Sequence, residues 1–183
     1  MKFDEENVLR MLQEDDAMQR RAFGLIVEEF SQPLYWQIRR LVLDHDDAND
    51  VLQETFIQAW KNIDYFRGES KLSTWLYRIA INQSLNFLNK QKAQQSLSID
   101  EEDASVANQL EGDPYFDGDK AQRLLQQALT TLPDKQRLVF NMRYYDEMTY
   151  TEISEIIGSS VGALKADYHL AVKKISQFFE DAD

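Results

Sequence analysis

Between residues 46 and 63 the side chains Ala48, Leu52, Thr55, Phe56, Ala59 and Ile63 return every three or four positions. That period gathers them on one face of an α-helix and nowhere else. Asp47, Asp50, Glu54, Gln58 and Lys61 fall on another face, so the helix carries a polar, mostly acidic outer stripe. After Ser70 the pattern resumes, with Leu72, Trp75, Leu76, Ile79, Ala80 and Phe87 inward and Arg78, Asn82 and Asn86 outward at four-residue steps. With only 6 Gly and 3 Pro in 183 residues, the chain lacks the turns that a β protein needs. The expected fold class is all-α.

A chain of this length makes one domain or two small ones. The distribution of charge favours two. Net charge is −12, from 20 Lys and Arg against 32 Asp and Glu, yet residues 93–120 hold one basic and eight acidic side chains. That segment, with Asp100-Glu101-Glu102-Asp103, Gly112, Pro114 and Gly118, has few apolar residues and no sustained period. It cannot bury enough surface to offset ordering entropy, so it reads as a flexible acidic linker, the alternative being an ordinary solvated loop. Two small helical domains are therefore expected, at 1–92 and 121–183, each with its own apolar face.

In the second domain, Leu132-Pro133-Asp134 sets Pro133 at the first turn of a helix running to about Tyr145. Thr149-Tyr150-Thr151-Glu152 has the spacing of a capping box, Gly158 suits the end of the short helix it starts, and Ser159 or Ser160 can cap a helix from Val161 to about Phe179. This is the pattern of a helix-turn-helix, with small Ser154 at the crossing and Ile153, Ile157, Val161 and Leu164 as shared core. A plain helical hairpin with a solvated surface is the alternative. Between the helices of the first domain, the loop 63–71 mixes Tyr65 and Phe66 with Arg67, Gly68 and Lys71, and exposed aromatics in a loop invite explanation.

Catalytic readings find little support. The absence of Cys removes disulfides and thiolate metal sites. His45 and His169 are far apart in sequence, and no phosphate loop or nucleophile elbow is present. Asp44, Asp46, Asp47 and Asp50 lack the loop pattern of a carboxylate metal site and read better as acids favoured at a helix start. Neither a metal nor a cofactor is expected. The acidic N-terminus lacks the apolar stretch of a signal peptide, and no run approaches the ~18 apolar residues of a membrane span, so a cytoplasmic protein without membrane insertion is expected.

Two blocks now carry a resemblance. Asp47-Ala48-Asn49-Asp50-Val51-Leu52-Gln53-Glu54-Thr55-Phe56-Ile57-Gln58-Ala59-Trp60, followed by Phe66-Arg67-Gly68-Glu69-Ser70 and Thr74-Trp75-Leu76-Tyr77-Arg78-Ile79-Ala80-Ile81-Asn82, resembles the promoter-melting domain of the extracytoplasmic-function (ECF) sigma factors of bacterial RNA polymerase. Leu132-Pro133 and the helix-turn-helix through Val161-Gly162-Ala163-Leu164-Lys165 are similar to that family's second DNA-binding domain. The resemblance spans nearly the whole chain except the linker, in family order.

It implies a dissociable initiation subunit that binds core RNA polymerase, recognises the minus-35 promoter element as duplex and captures the minus-10 element as melted single strand. It implies core-polymerase binding by Asp47, Asp50, Val51, Gln53 and Glu54 against a basic clamp surface. Minus-10 DNA would meet Tyr65, Phe66, Arg67, Ser70, Lys71, Arg78 and Asn82, by stacking and edge hydrogen bonds; Trp75 reads as core. Minus-35 DNA would meet Thr151, Ser160, Lys165, His169, Lys173 and Lys174. An anti-sigma factor is the further partner implied, and acidity ceases to exclude DNA because polymerase supplies most of the nonspecific electrostatics.

This chain departs from the family's pattern at Asn86, where an Asp is often found, at Asn89-Lys90-Gln91-Lys92, where a run of arginines often follows, and at Ala166-Asp167 and Leu170 in the recognition helix, where many relatives place Ser-Arg and a later Arg. A helix-turn-helix regulator acting without polymerase would normally dimerise on paired half-sites, and no heptad seam is present. A helical adaptor for a basic partner would leave the 63–71 loop and the helix-turn-helix without a use.

Overall fold

Aspartate, threonine and serine punctuate this chain into helices. In the computed structural model, which describes residues 2–97 and 119–183, Asp4, Asp15, Asp44, Asp119, Thr149 and Ser160 each accept from a backbone N–H of the first helical turn. The helices are α1 (Glu5–Met11), α2 (Asp16–Val42), α3 (His45–Asn62), α4 (Leu72–Leu97), α5 (Lys120–Thr130), α6 (Asp134–Tyr144), α7 (Tyr150–Ile157) and α8 (Val161–Ala182), with a 3-10 turn at Ile63–Tyr65. No strand occurs among the described residues, and the all-α expectation holds.

Helices α2, α3 and α4 pack on one another, with α1 laid against α2. Their inward stripes place Ala48, Ala59, Leu72, Leu76 and Ala80 at 0% exposure, while Leu52, Phe56, Trp75, Ile79 and Phe87 are half-buried around them. Helix α4 continues through Leu97, so the first residues assigned to the linker are helical. Gln, Lys and Ala at 91–95 are good helix formers even without an apolar face. The rest of the expected linker, 98–118, lies outside the described residues.

In the second half, α5, α6 and α8 enclose a small core of Ala128, Leu129, Leu132, Phe140, Ala171 and Ile175. The other face of α6 does not stay with this half. Leu138, Val139 and Met142, together with Ile153 and Leu164, join the same core as Leu34, Ile38 and Leu41 of α2. The two halves are thus docked along α2 and α6.

Polar ties run through this seam. Arg137 is 4% exposed; its Nη2 donates to the Leu41 carbonyl at 2.9 Å, near the end of α2, and lies 3.2 Å from Asp134. Arg40 lies 3.5 Å from Asp146 and 4.3 Å over the ring of Tyr145. Lys92 of α4 meets Asp134 at 2.6 Å. Burial pushes the Asp146 carboxyl up to about 6, against the opposing pull of Arg40.

Candidate nucleic-acid interface

The start of α3 concentrates negative charge. Asp44 caps the helix by accepting from the Asp47 N–H at 3.0 Å. Asp47 is half-buried, and its carboxyl is raised first by burial, then by Asp44, Asp50 and Asp46. Asp50, Gln53 and Glu54 are exposed, with Glu54 accepting from Gln58 Nε2 at 2.8 Å. Val51 is different: it is 4% exposed and belongs to the core, so it offers a partner only the floor of a cleft. That cleft, of about 150 Å³, lies between α3 and α4, where Asp50 and Glu54 face Gln83, Asn86, Phe87 and Lys90. The α4 side of this surface was missed from sequence, because its residues meet α3 only through the fold.

The segment after α3 turns tightly. Residues 63–65 are a 3-10 turn rather than open loop, and Gly68 takes the left-handed backbone at φ 75°. Tyr65 is 77% exposed. Phe66 is half-buried and packs on Trp75 with ring centroids 5.0 Å apart, which leaves only part of its ring open to a base. Trp75 supports Phe66 from the periphery of the core. Glu5 accepts from the Leu72 N–H at 3.0 Å and Gln19 donates to Asp64 at 2.8 Å, so α1 and α2 fix both ends of the segment.

Arg67, Ser70 and Lys71 are exposed along this turn, and Arg78 and Asn82 follow on the outer face of α4, one helical turn apart. Asn82 is exposed, with no hydrogen-bond partner among the described residues. Arg78 Nη2 reaches the Glu155 carbonyl of α7 at 3.4 Å.

The helix-turn-helix forms as its caps predict. Thr149 and Glu152 complete both halves of the capping box. Gly158 adopts φ 85° and returns its N–H to Ser154 at 2.8 Å, while Ser154 Oγ donates to Ser159 at 2.6 Å across the turn. The shared core differs by one register position: Ile153, Ile156 and Leu164 are buried, whereas Ile157 and Val161 are only half-buried. Ser160 spends its hydroxyl oxygen on the Ala163 N–H at 3.2 Å, as the cap of α8.

Thr151, Lys165, His169, Lys173 and Lys174 are exposed. Lys165, His169 and Lys173 share one face at four-residue steps; Lys174 lies off that face and donates to Gln136 at 3.0 Å. Asp167 pairs with Lys135 of α6 at 3.4 Å, so the acid that interrupts the basic face is partly neutralised within the fold. Arg143 escaped the sequence reading. It lies 4.7 Å over the ring of Tyr150, above which Lys165 Nζ also sits at 5.9 Å, and the ring thereby gathers two cations beside the start of α7.

Among the described residues no group of three or more His, Cys, Asp or Glu could hold a metal ion, and no helix is long and apolar enough to cross a membrane. What the surfaces share is the chemistry of nucleic-acid and protein recognition. Comparison with known proteins agrees. Residues 26–94 match the model of Sigma-70 region 2, and residues 122–175 match that of Sigma-70, region 4. The chain is 35% identical to the ECF RNA polymerase sigma factor SigW of Bacillus subtilis, over 81% of this chain and 83% of that protein. It is 30% identical to the ECF RNA polymerase sigma-E factor of Haemophilus influenzae, over 80% of this chain and 82% of that one. Among solved structures, the sigma factor RpoE in complex with the anti-sigma factor NepR from Bartonella quintana has the same fold, with a TM-score of 0.70 at 22% identity, covering 86% of this chain and 96% of that one. CnrH in complex with the cytosolic domain of CnrY has a TM-score of 0.66 at 23% identity, covering 98% and 99%.

Proposed function

The chain belongs to the ECF sigma factors of RNA polymerase, which recognise promoters and direct transcription initiation, and we propose that it divides this work between its two halves. Residues 1–92 hold core polymerase through Asp47, Asp50, Gln53 and Glu54 of α3 and capture the minus-10 element as melted strand. Residues 121–183 read the minus-35 element as duplex through α8, and 93–120 tether the two. The observation that carries this reading is an order shared by matches and surfaces: region 2 coincides with the acidic stripe and the Arg67 to Asn82 face, region 4 with the basic face of α8. Members of the family are not enzymes, and a cytoplasmic setting beside polymerase is part of the proposal. So is an anti-sigma partner, on the strength of the RpoE relative held by NepR.

Melting costs pairing and stacking energy, so the protein must offer an extruded base a ring and an amide in return. Tyr65 supplies an exposed ring, Asn82 a free amide, and Arg67 and Lys71 charges for the backbone. Run-off transcription with core polymerase on randomised promoters tests the whole reading; no transcript above core alone would reject it. Asn82→Ala is expected to lower open-complex formation on duplex promoters by about fivefold or more, in line with roughly 1–3 kcal/mol for a good edge contact. A template pre-melted across the minus-10 element should recover part of that loss. Equal failure on both templates, with lowered thermal stability, would give Asn82 a structural role instead.

The basic face of α8 makes a second prediction. Lys165→Ala should weaken minus-35 binding and relax sequence preference, whereas Lys174→Ala should weaken all sequences alike, as loss of a phosphate contact does. Binding isotherms on a consensus and a scrambled duplex distinguish them, and identical behaviour would mean that Lys165 reads no base.

A further inference from the structure

The outermost face of α8 is not uniformly basic. Leu164, Ala171 and Ile175 are buried, and at about 100° per residue the opposite side of the helix carries Gly162, Ala166, His169, Leu170 and Lys173, all exposed. Leu170 is 43% exposed and packs into neither core. Val172, the other large apolar side chain exposed on α8, faces a different way. Neither Leu170 nor Ala166 can make a side-chain hydrogen bond, so at these two positions α8 cannot select guanine, which takes a bidentate Arg or Lys, or adenine, which takes Asn or Gln. The one feature of a base edge that an apolar side chain complements in the major groove is the C5 methyl of thymine. Gly162 adds to this. Its backbone is not left-handed, and a Cβ there would meet nothing within 4 Å, so the fold itself does not call for glycine. In a helix, glycine costs about 1 kcal/mol against alanine, and at the start of a recognition helix a bare backbone is where base edges can come closest.

We propose that Leu170, with Ala166 one turn before it, reads thymine methyl groups in the major groove of the minus-35 element, and that Gly162 lets α8 sit deep enough for this contact. The proposal rests on the assignment of α8 to that duplex made above. The helical rise sets Ala166 and Leu170 about 6 Å apart along the axis. That is nearly two base steps at roughly 3.4 Å each, so the thymines stand on adjacent pairs or one pair apart. Lys165, His169 and Lys173 border the apolar pair, and the two lysines supply the charge that draws a polyanion to this face. Asp167 is held at 3.4 Å by Lys135 of α6, so the acid is turned to the side of the helix and does not stand between Leu170 and the groove. Covering one methyl group with the leucine is worth about fourfold in affinity.

The test uses holoenzyme assembled from the full chain and core polymerase. Duplexes randomised across the minus-35 region are selected for binding, and each thymine of the selected element is then exchanged for deoxyuridine, which removes the methyl and leaves pairing intact. The exchange should lower affinity about three- to fivefold at one or two positions. Leu170→Ala should bind the thymine duplex about as weakly as wild type binds the deoxyuridine duplex, and should be indifferent to the exchange. Leu170→Arg should move the preference at that position from thymine towards guanine. Gly162→Ala should raise thermal stability and yet weaken binding to the selected duplex. An element with no position sensitive to deoxyuridine, or a Leu170→Ala variant that keeps the wild-type sensitivity, would overturn the proposal. So would weaker binding of Leu170→Ala to core polymerase without DNA, since the leucine would then belong to a protein interface. Unchanged binding by Gly162→Ala would overturn the close approach. An error in the assignment of α8 has a separate signature: no sequence would be enriched in the minus-35 region, and Lys165→Ala would bind the duplexes as wild type does.

Discussion

Replacing Asp50 and Glu54 together by lysine is expected to abolish co-purification with core polymerase while leaving helical content unchanged. Both side chains are exposed on α3, away from Ala48, Thr55 and Ala59, so the core does not register the change. Against a basic partner each reversal turns an attraction into a repulsion. At contact distance in water-like surroundings that swing is on the order of 2 kcal/mol per site. Two sites together amount to about a thousandfold in affinity. The price inside the helix is smaller, limited to the Gln58 bond to Glu54 and a weakened helix-start charge, a few tenths of a kcal/mol each. Asp50→Asn with Glu54→Gln should lose less than the double lysine, and raising salt should narrow the gap between them. Circular dichroism and pull-down on core polymerase measure both halves of the claim; unaltered binding by the lysine variant would reject the stripe as the polymerase surface.

The parts of the fold that sequence reveals are those written in local code. Helix α3 and the first turns of α4 announce themselves because apolar residues recur at helical steps, and α7 and α8 because Thr149, Glu152, Gly158 and Ser160 each satisfy a terminal backbone group within a few residues. Residues that sit at the edge of a face are harder. Val51, read among the outer residues of α3, is turned into the core by the presence of α4, and Ile156 takes the buried place read for Ile157 because the α7 stripe is rotated by one position. Phe66 reads as exposed from its polar neighbours, yet Trp75, nine positions on, offers it a ring to pack on.

What joins the halves had no local trace at all. Leu41 and Arg137 are 96 residues apart, and nothing in the neighbourhood of Arg137 distinguishes it from a solvated arginine on an amphipathic helix. The same holds for Arg143, whose part beside Tyr150 and Lys165 depends on the angle between α6 and α7. Long-range pairing of single side chains is decided by packing geometry, and hydrophobic period carries no record of it.

Arg137→Ala is expected to be the costliest single truncation of a polar residue in this chain, at about 3 kcal/mol of folding stability. The guanidinium is 4% exposed and satisfies groups from both halves: the Leu41 carbonyl at 2.9 Å, the Leu132 carbonyl at 3.4 Å and the Asp134 carboxylate at 3.2 Å. Burial pulls its ionisation down and Asp134 pulls it back up, so the charge is retained inside by its partner. Truncation leaves the Leu41 and Leu132 carbonyls short of a donor in a buried site and opens a cavity where the side chain lay. Breaking a buried pair costs roughly 3–5 kcal/mol, and the lower end applies here because Asp134 keeps some exposure and the second cation Lys92. Arg137→Lys should recover only a minor part: an ammonium holds the charge but cannot reach both carbonyls and the carboxylate with one planar fork. Chemical denaturation of the two variants beside wild type reads the ordering, and a loss below about 1 kcal/mol for the alanine variant would mean that the seam around Arg137 is open in solution.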